Sequence, residues 1–159
     1  MEYPKGIHGD KIGSFASAIP LDDCSVDAIT LHCSLEHFEG EEDVRFFREG
    51  LRLLKPGGRI CIIPLYVANE LSIITSPSVW ADKYKAYAEC PQFDRRAKIF
   101  IRESTTNKQR QIKLYDVRTL QNDLLEQMGD LFNISIYYFL NHLSFEGCPV
   151  FALLLNKKW

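Results

Sequence analysis

Leu54-Lys55-Pro56-Gly57-Gly58 joins a stretch with helical periodicity to one patterned as a strand, and this junction decides the fold. Upstream, Glu41 to Leu54 places Val44, Phe47, Leu51 and Leu54 at spacings of three and four, one apolar face of a helix. Glu41, Glu42 and Asp43 crowd its first turn and Arg52 and Lys55 its end, the order of charge a helix dipole favours. Pro56 pushes Lys55 out of helical geometry, and Gly57 or Gly58 can take the positive φ of a tight reversal. Downstream, Arg59-Ile60-Cys61-Ile62-Ile63-Pro64 reads as a short, fully buried strand. A helix delivered through a sharp turn into an apolar strand is half of a βαβ unit.

Outward toward the amino terminus, Ile19-Pro20-Leu21 is an apolar anchor, Asp22-Asp23-Cys24 a polar turn, and Val26 to Leu31 a second buried strand. The loop His32 to Gly40 then leads into the helix. In order and spacing, Ile19-Pro20-Leu21, Ser25-Val26-Asp27, His37, Glu49, Arg52 and Leu54 to Gly58 resemble the second half of a class I S-adenosylmethionine-dependent methyltransferase. The resemblance implies an α/β fold: a partial Rossmann-like sheet, mostly parallel, with an antiparallel last strand. It also implies S-adenosylmethionine as cofactor and a small molecule as methyl acceptor.

The family's glycine-rich nucleotide loop lies upstream of this motif. Here the residues before Ile19 contain Gly6, Gly9 and Gly13, but no apolar strand followed by closely spaced glycines opening a helix. The acid that grips the cofactor ribose has only Glu2 near its place. The chain therefore reads as one methyltransferase-like domain, 1–159, without the amino-terminal third of the family fold. In the family's strand order, 3-2-1-4-5-7-6, that leaves Val26 to Leu31 as an edge, a liability unless covered. Either Met1 to Ala18 folds over it, or two chains pair across it as a homodimer.

The remaining composition is compatible with this reading. With 159 residues and 46% hydrophobic content, one core is expected. A formal charge of −2 offers no long-range attraction for nucleic acid or an anionic membrane. Arg95, Arg96, Lys98 and Arg102 read as a solvated face. No apolar run reaches the length of a membrane span, and the start lacks a signal-peptide core. Cys24, Cys33, Cys61, Cys90 and Cys148 are odd in number and scattered, which suits reduced thiols in the cytoplasm.

Toward the carboxyl terminus, the interval 67–116 is where the resembling family carries substrate-side insertions. It holds weak helical periodicity near Val79 to Ala88, and Ile99-Phe100-Ile101 and Gln111 to Tyr115 form a candidate hairpin around Ser104 to Lys108. Val117 to Met128 reads as a helix stopped by Gly129, with Leu120, Leu124, Leu125 and Met128 on one face. Phe132 to Leu140 and Val150 to Leu155 are strand candidates.

Open α/β sheets bind ligands at the carboxyl ends of their strands. By the resemblance, His32, Cys33 and Ser34 line the cofactor, and Glu36 and His37 point toward the acceptor. A histidine beside an acceptor can remove its proton; alternatively, His37 braces the loop. His32, Cys33, Glu36 and His37 are all metal-ligand types, but the zinc-protease spacing is absent and adjacent strand residues face opposite sides, so no metal is expected. Ser14, Phe15 and Ala16 correspond to the family's adenine-side turn; Phe15 stacks on a base or belongs to the core. Tyr66, at a strand's carboxyl end, lines a substrate pocket or packs its rim. Two functions stand: a small-molecule methyltransferase, or a non-catalytic methyltransferase-like subunit without cofactor binding.

Overall fold

Hydrogen-bonded pairing across the βαβ unit organises the chain. The computed structural model describes residues 5–79, 91–102, 110–143 and 149–159, without the side chains of 79 and 140–143. The helix expected around 79–88 with Trp80, Tyr84 and Tyr87, the turn 104–108, Glu2, Cys90 and Cys148 lie outside the described residues.

β1 (Gly6–His8) and β2 (Lys11–Gly13) form a separate antiparallel hairpin. β3 (Val26–His32) leads through a 3-10 turn (Leu35–His37) into α1 (Glu42–Leu53) and then β4 (Leu54–Tyr66), which lies parallel to β3. The helix ends one residue earlier than its apolar pattern, because Leu54 is already extended. Lys55 to Gly58 bulges out between two paired stretches: Val26 is opposite Leu54, and Ala28 is opposite Arg59. Of the two glycines, Gly57 takes the positive φ, +76°, while Gly58 sits where a side chain has no room.

β8 (Phe132–Leu143) and β9 (Pro149–Lys157) complete the main sheet, ordered β3-β4-β9-β8. β9 runs antiparallel to both neighbours, so β3, β4 and β8 point the same way. One face carries Ile29, Leu31, Ile60, Ile62, Leu153 and Leu155 into the core. α1 covers it with Phe46 and Phe47. A helical run also packs there through Leu120, Leu124 and Met128: α2 (Val117–Thr119), a π-helical stretch Leu120–Leu125, and α3 (Glu126–Met128).

The two strands of the βαβ unit, β3 and β4, are not fully buried, which corrects the sequence reading. On the opposite face, Ala28, Thr30 and Arg59 are exposed and Cys61, Ile63 and Leu154 half-buried, because the core helices all lie on the first face. Residues 6–13 add no strand to the β3 edge: β1 pairs as a strand with β2, and among the described residues no strand pairs with β3 except β4.

A second sheet replaces the expected hairpin. β5 (Ser72–Thr75), too short to stand out in the sequence, lies between β6 (Lys98–Ile101), parallel to it, and β7 (Ile112–Leu114), antiparallel. Tyr115 N–H donates to Tyr66 O at 3.0 Å, and Ala68 N–H donates to Tyr115 O at 2.8 Å. Those bonds fasten β7 over the carboxyl end of β4.

Of the motif residues, Asp27, Glu49, Arg52 and Lys55 are architectural. Arg52 uses all five guanidinium N–H groups: Nε and Nη2 on the two Glu49 oxygens, Nη2 also on Ile19 O, and Nη1 on Leu21 O and Asp23. Arg52 holds the Glu49 carboxyl below its ordinary value against the opposing effect of burial, and Ile19 N–H adds to this at 2.7 Å. The Ile19-Pro20-Leu21 segment is thereby tied to α1. Lys55 Nζ lies 2.9 Å from both Asp27 oxygens and spans the turn from β4 back to β3.

Candidate active site

β3 ends at the carboxyl edge of the sheet, and the chain leaves it abruptly. Cys33 has φ +49°, a conformation that is strained for a residue with a side chain. Its N–H donates to Ile63 O at 3.1 Å, and Ser34 Oγ donates to His32 O at 2.8 Å. His32 and Cys33 are both exposed. The turn brings Cys33 Sγ to 3.9 Å from His32 Nε2, so the two side chains do not diverge as on a regular strand. No group of three or more potential metal ligands converges among the described residues.

Leu35 anchors the next turn in the core at 1% exposure, carrying Glu36 and His37 with it. His37 Nδ1 lies 2.7 Å from the Gln111 carbonyl oxygen. A carbonyl can only accept, so Nδ1 carries the proton and Nε2 keeps a lone pair in the neutral ring. Nε2 stands 3.9 Å from Glu36 Oε1. Glu36 is only 5% exposed, and its Oε2, like Gln111 Oε1, is buried and takes no hydrogen bond from the described residues.

Beyond His37 the loop is fastened to β7. Gln111 Nε2 donates to Phe38 O, and Lys113 Nζ donates to Gly40 O at 3.0 Å and to Asp43 Oδ2 at 2.8 Å. Tyr115 Oη donates to the same Asp43 oxygen at 2.7 Å. Burial first, then the Asp43 carboxylate, pushes the Tyr115 phenol well above its ordinary value, so it stays protonated and keeps donating. Asp43, Lys113 and Tyr115 are all buried. None of the three stands out in the sequence: Asp43 reads as a first-turn acid, and Lys113 and Tyr115 as strand residues. The usable signal was the Gln111, Lys113, Tyr115 alternation, polar groups on one face of a strand flanked by Ile112 and Leu114.

This network forms one wall of a cavity of about 600 Å³, bounded by Gly40, Glu41, Asp43, Phe93, Lys113 and Tyr115 and closed by the α2–α3 run. A smaller cavity of about 330 Å³, lined by Glu70, Arg96, Lys98 and Arg118, includes no residue of the His32–Gly40 loop. Arg96 there is held by Asp94 and Asp123, and Lys98 by Glu70.

The remaining candidates are dispersed. Phe15 is 61% exposed, so it is not a core residue, whereas Ala16 packs against the core. Ser14, Phe15 and Ala16 make no hydrogen bond to His32, Cys33 or Ser34. Tyr66 is half-buried at the end of β4, with its carbonyl bonded to Tyr115 N–H. For S-adenosylmethionine, the fit is one-sided: the exposed His32–Cys33 turn offers a platform and Phe15 an open ring. No carboxylate among residues 5–18 stands at the end of a main-sheet strand, since Asp10 lies at the tip of the β1–β2 hairpin.

Residues 9–62 match a methyltransferase domain family. Among solved structures, a SAM-dependent methyltransferase from Methanosarcina mazei superposes with TM-score 0.58 at 18% identity, over 93% of this chain and 66% of its own. Another is the Burkholderia thailandensis 1,6-didemethyltoxoflavin-N1-methyltransferase, solved with 1,6-didemethyltoxoflavin and S-adenosylhomocysteine bound. It gives TM-score 0.52 at 14% identity over 91% of this chain and 48% of its own. The chain thus spans between about half and two-thirds of these proteins. In its motif and in the order and direction of its main-sheet strands, the chain resembles class I S-adenosylmethionine-dependent methyltransferases.

Proposed function

We propose that the chain carries the acceptor side of an S-adenosylmethionine-dependent methyltransferase acting on a small molecule. The observation that carries this reading is the His37 imidazole, oriented by the Gln111 carbonyl, with its Nε2 lone pair toward a buried carboxylate. S-adenosylmethionine supplies an activated methyl group whose leaving group is a neutral thioether. His32, Cys33 and Ser34 flank the cofactor at the end of β3, with Ser14 to Ala16 on the adenine side. An acceptor hydroxyl or amine held against the loop gives its proton to His37 Nε2, and Glu36 stabilises the imidazolium that forms. With S-adenosylmethionine bound there, the acceptor lone pair would form the new bond to the methyl carbon as the carbon–sulfur bond broke and its electron pair stayed on sulfur. Alignment of the partners supplies most of the acceleration. The cavity of about 600 Å³ beside Gly40 is of ordinary size for a small ligand, and Phe93, Lys113 and Tyr115 of the 67–116 insertion line it; Tyr66 is assigned to the acceptor side from its place at the end of β4. Transfer of labelled methyl groups to a panel of hydroxyl and amine acceptors, compared with His37→Ala, tests this. Turnover unaffected by His37→Ala removes the assignment.

The open β3 edge favours a second reading, a methyltransferase-like subunit that pairs with another copy through this strand. Sedimentation equilibrium of the protein and of Thr30→Lys, with a charge on that strand, distinguishes it. A concentration-dependent dimer lost in the variant supports it, and a monomer at all concentrations removes it.

A further inference from the structure

Building on the reading of His37 as the proton acceptor, we infer that Lys113 is a positioning residue that fixes the tautomer of His37. Period-two alternation puts Gln111, Lys113 and Tyr115 on one face of β7, turned toward the loop and the start of α1. The acceptor for His37 Nδ1 is the backbone carbonyl of Gln111, two residues from Lys113, so the tautomer depends on where β7 sits. Lys113 is one of the groups that set that position, beside the β5–β7 ladder, the Tyr115–Tyr66 backbone bond and the Gln111 Nε2 bond to Phe38 O. Its ammonium reaches across to Gly40 O and to Asp43, joining β7 to the loop on the far side of His37, while its own side chain is 3% exposed.

Removal of Lys113 leaves the buried Asp43 carboxylate with the Tyr115 hydroxyl on Oδ2 and the Val44 N–H on Oδ1, no cation beside it, and the half-buried Gly40 carbonyl without its Lys113 donor. Water must reach both, and the Gly40 end of the loop must shift relative to β7 to admit it, which strains the Gln111 contacts with Phe38 and His37. Gln111 O then leaves Nδ1, and the ring returns to the form that free histidine prefers in water, with the proton on Nε2. That form has no lone pair on the nitrogen that faces Glu36 and so cannot act as the base from that position. Relative to the ring in water, a hydrogen bond of ordinary net strength shifts the ratio toward Nδ1–H by roughly fivefold, and an Nδ1 lone pair set 2.7 Å from the Gln111 oxygen disfavours the other form further; this is the bias that Lys113 protects.

The test is long-range ¹⁵N–¹H correlation of the imidazole in ¹⁵N-labelled protein, at a pH where the ring is neutral. The unaltered protein is expected to show His37 predominantly as the Nδ1–H form, and Lys113→Met to show Nε2–H as the major form. Tyr115→Phe, which keeps the Lys113–Asp43 pair, is expected to retain the original signature. The double variant Asp43→Asn/Lys113→Met leaves no buried charge unpaired and reads the same shift if the single variant does not fold. Nε2–H as the major form in the unaltered protein overturns the inference. So does an unchanged signature in a folded Lys113 variant. The measurement involves neither cofactor nor acceptor, so failure of methyl transfer and failure of the positioning role are separately visible.

Discussion

Gly57 and Gly58 are adjacent in the turn but serve different physical needs, and alanine at each position separates them. At Gly57 φ is +76°, and a Cβ would approach only the Trp159 ring, at 3.8 Å. Alanine there meets no obstruction and bears only the left-handed backbone, about 1–2 kcal/mol. Stiffening of the unfolded chain offsets about 0.4–1 kcal/mol of that, leaving a net loss near 1 kcal/mol. At Gly58 a Cβ would lie 2.9 Å from the Lys55 carbonyl oxygen, 3.0 Å from the Asp27 carbonyl oxygen and 3.0 Å from Leu54 Cδ2. Two of those three are backbone atoms on opposite limbs of the βαβ unit and cannot swing aside. Relief requires β3 to move off β4 where their parallel ladder begins, which places the cost at the upper end of overpacking, about 3 kcal/mol. At about 2–4 °C per kcal/mol for a chain of this size, Gly57→Ala lowers the thermal midpoint by about 2–4 °C and Gly58→Ala by about 6–12 °C. Circular dichroism during heating and in urea measures both. Gly58→Ala as stable as Gly57→Ala, or more so, would refute the close-approach argument.

Three further outcomes follow from the same geometry. Arg52→Lys loses the fork that reaches Glu49 and the Ile19 and Leu21 carbonyls together, so amide exchange in residues 19–23 accelerates; unchanged protection there contradicts the role given to Arg52. Glu49, Asp94 and Asp116 have carboxyls held below their ordinary values chiefly by Arg52, Arg96 and the Thr119 side chain respectively. Their stabilisation is complete above the unfolded values and is lost as pH falls through the lowered folded ones. Unfolding midpoints therefore drop below roughly pH 4, and Glu49→Gln flattens that slope; an identical slope in the variant removes Glu49 from the account. Cys33→Gly relieves the +49° φ and, after allowing for the looser unfolded chain, raises stability by about 0.5–1 kcal/mol; a lower melting temperature contradicts the strain.

The sequence was most legible where the physics is local. The spacing of Val44, Phe47 and Leu51 marked α1, and the proline and glycines of the turn marked its end, because periodicity and φ preference act within a few residues. Motif order added the direction of the main sheet, including antiparallel β9. Burial was less legible: the apolar runs of β3 and β4 suggested strands covered on both faces, and only one face is packed against the described helices. The second sheet escaped notice because β5 has only four residues and its partners flank it, so Ile99 to Ile101 and Ile112 to Leu114 resembled the two arms of one hairpin. In the candidate site, position in the motif nominates His32 to His37, whereas Lys113 and Tyr115 reach Asp43 across 70 and 72 residues, a pairing no local pattern encodes. Phe15 points outward for a related reason, since residues 6–13 close on themselves and leave it exposed.

The central claim is that the end of β3 faces the cofactor. S-adenosylhomocysteine titrated to millimolar concentration into ¹⁵N-labelled protein tests it directly, because amide shifts report weak binding and its location together. The expected result is saturable shifts centred on His32, Cys33 and Ser34 and extending to Glu36 and His37, with β8 unchanged. No shift in that loop, or shifts confined to another part of the chain, would contradict the account.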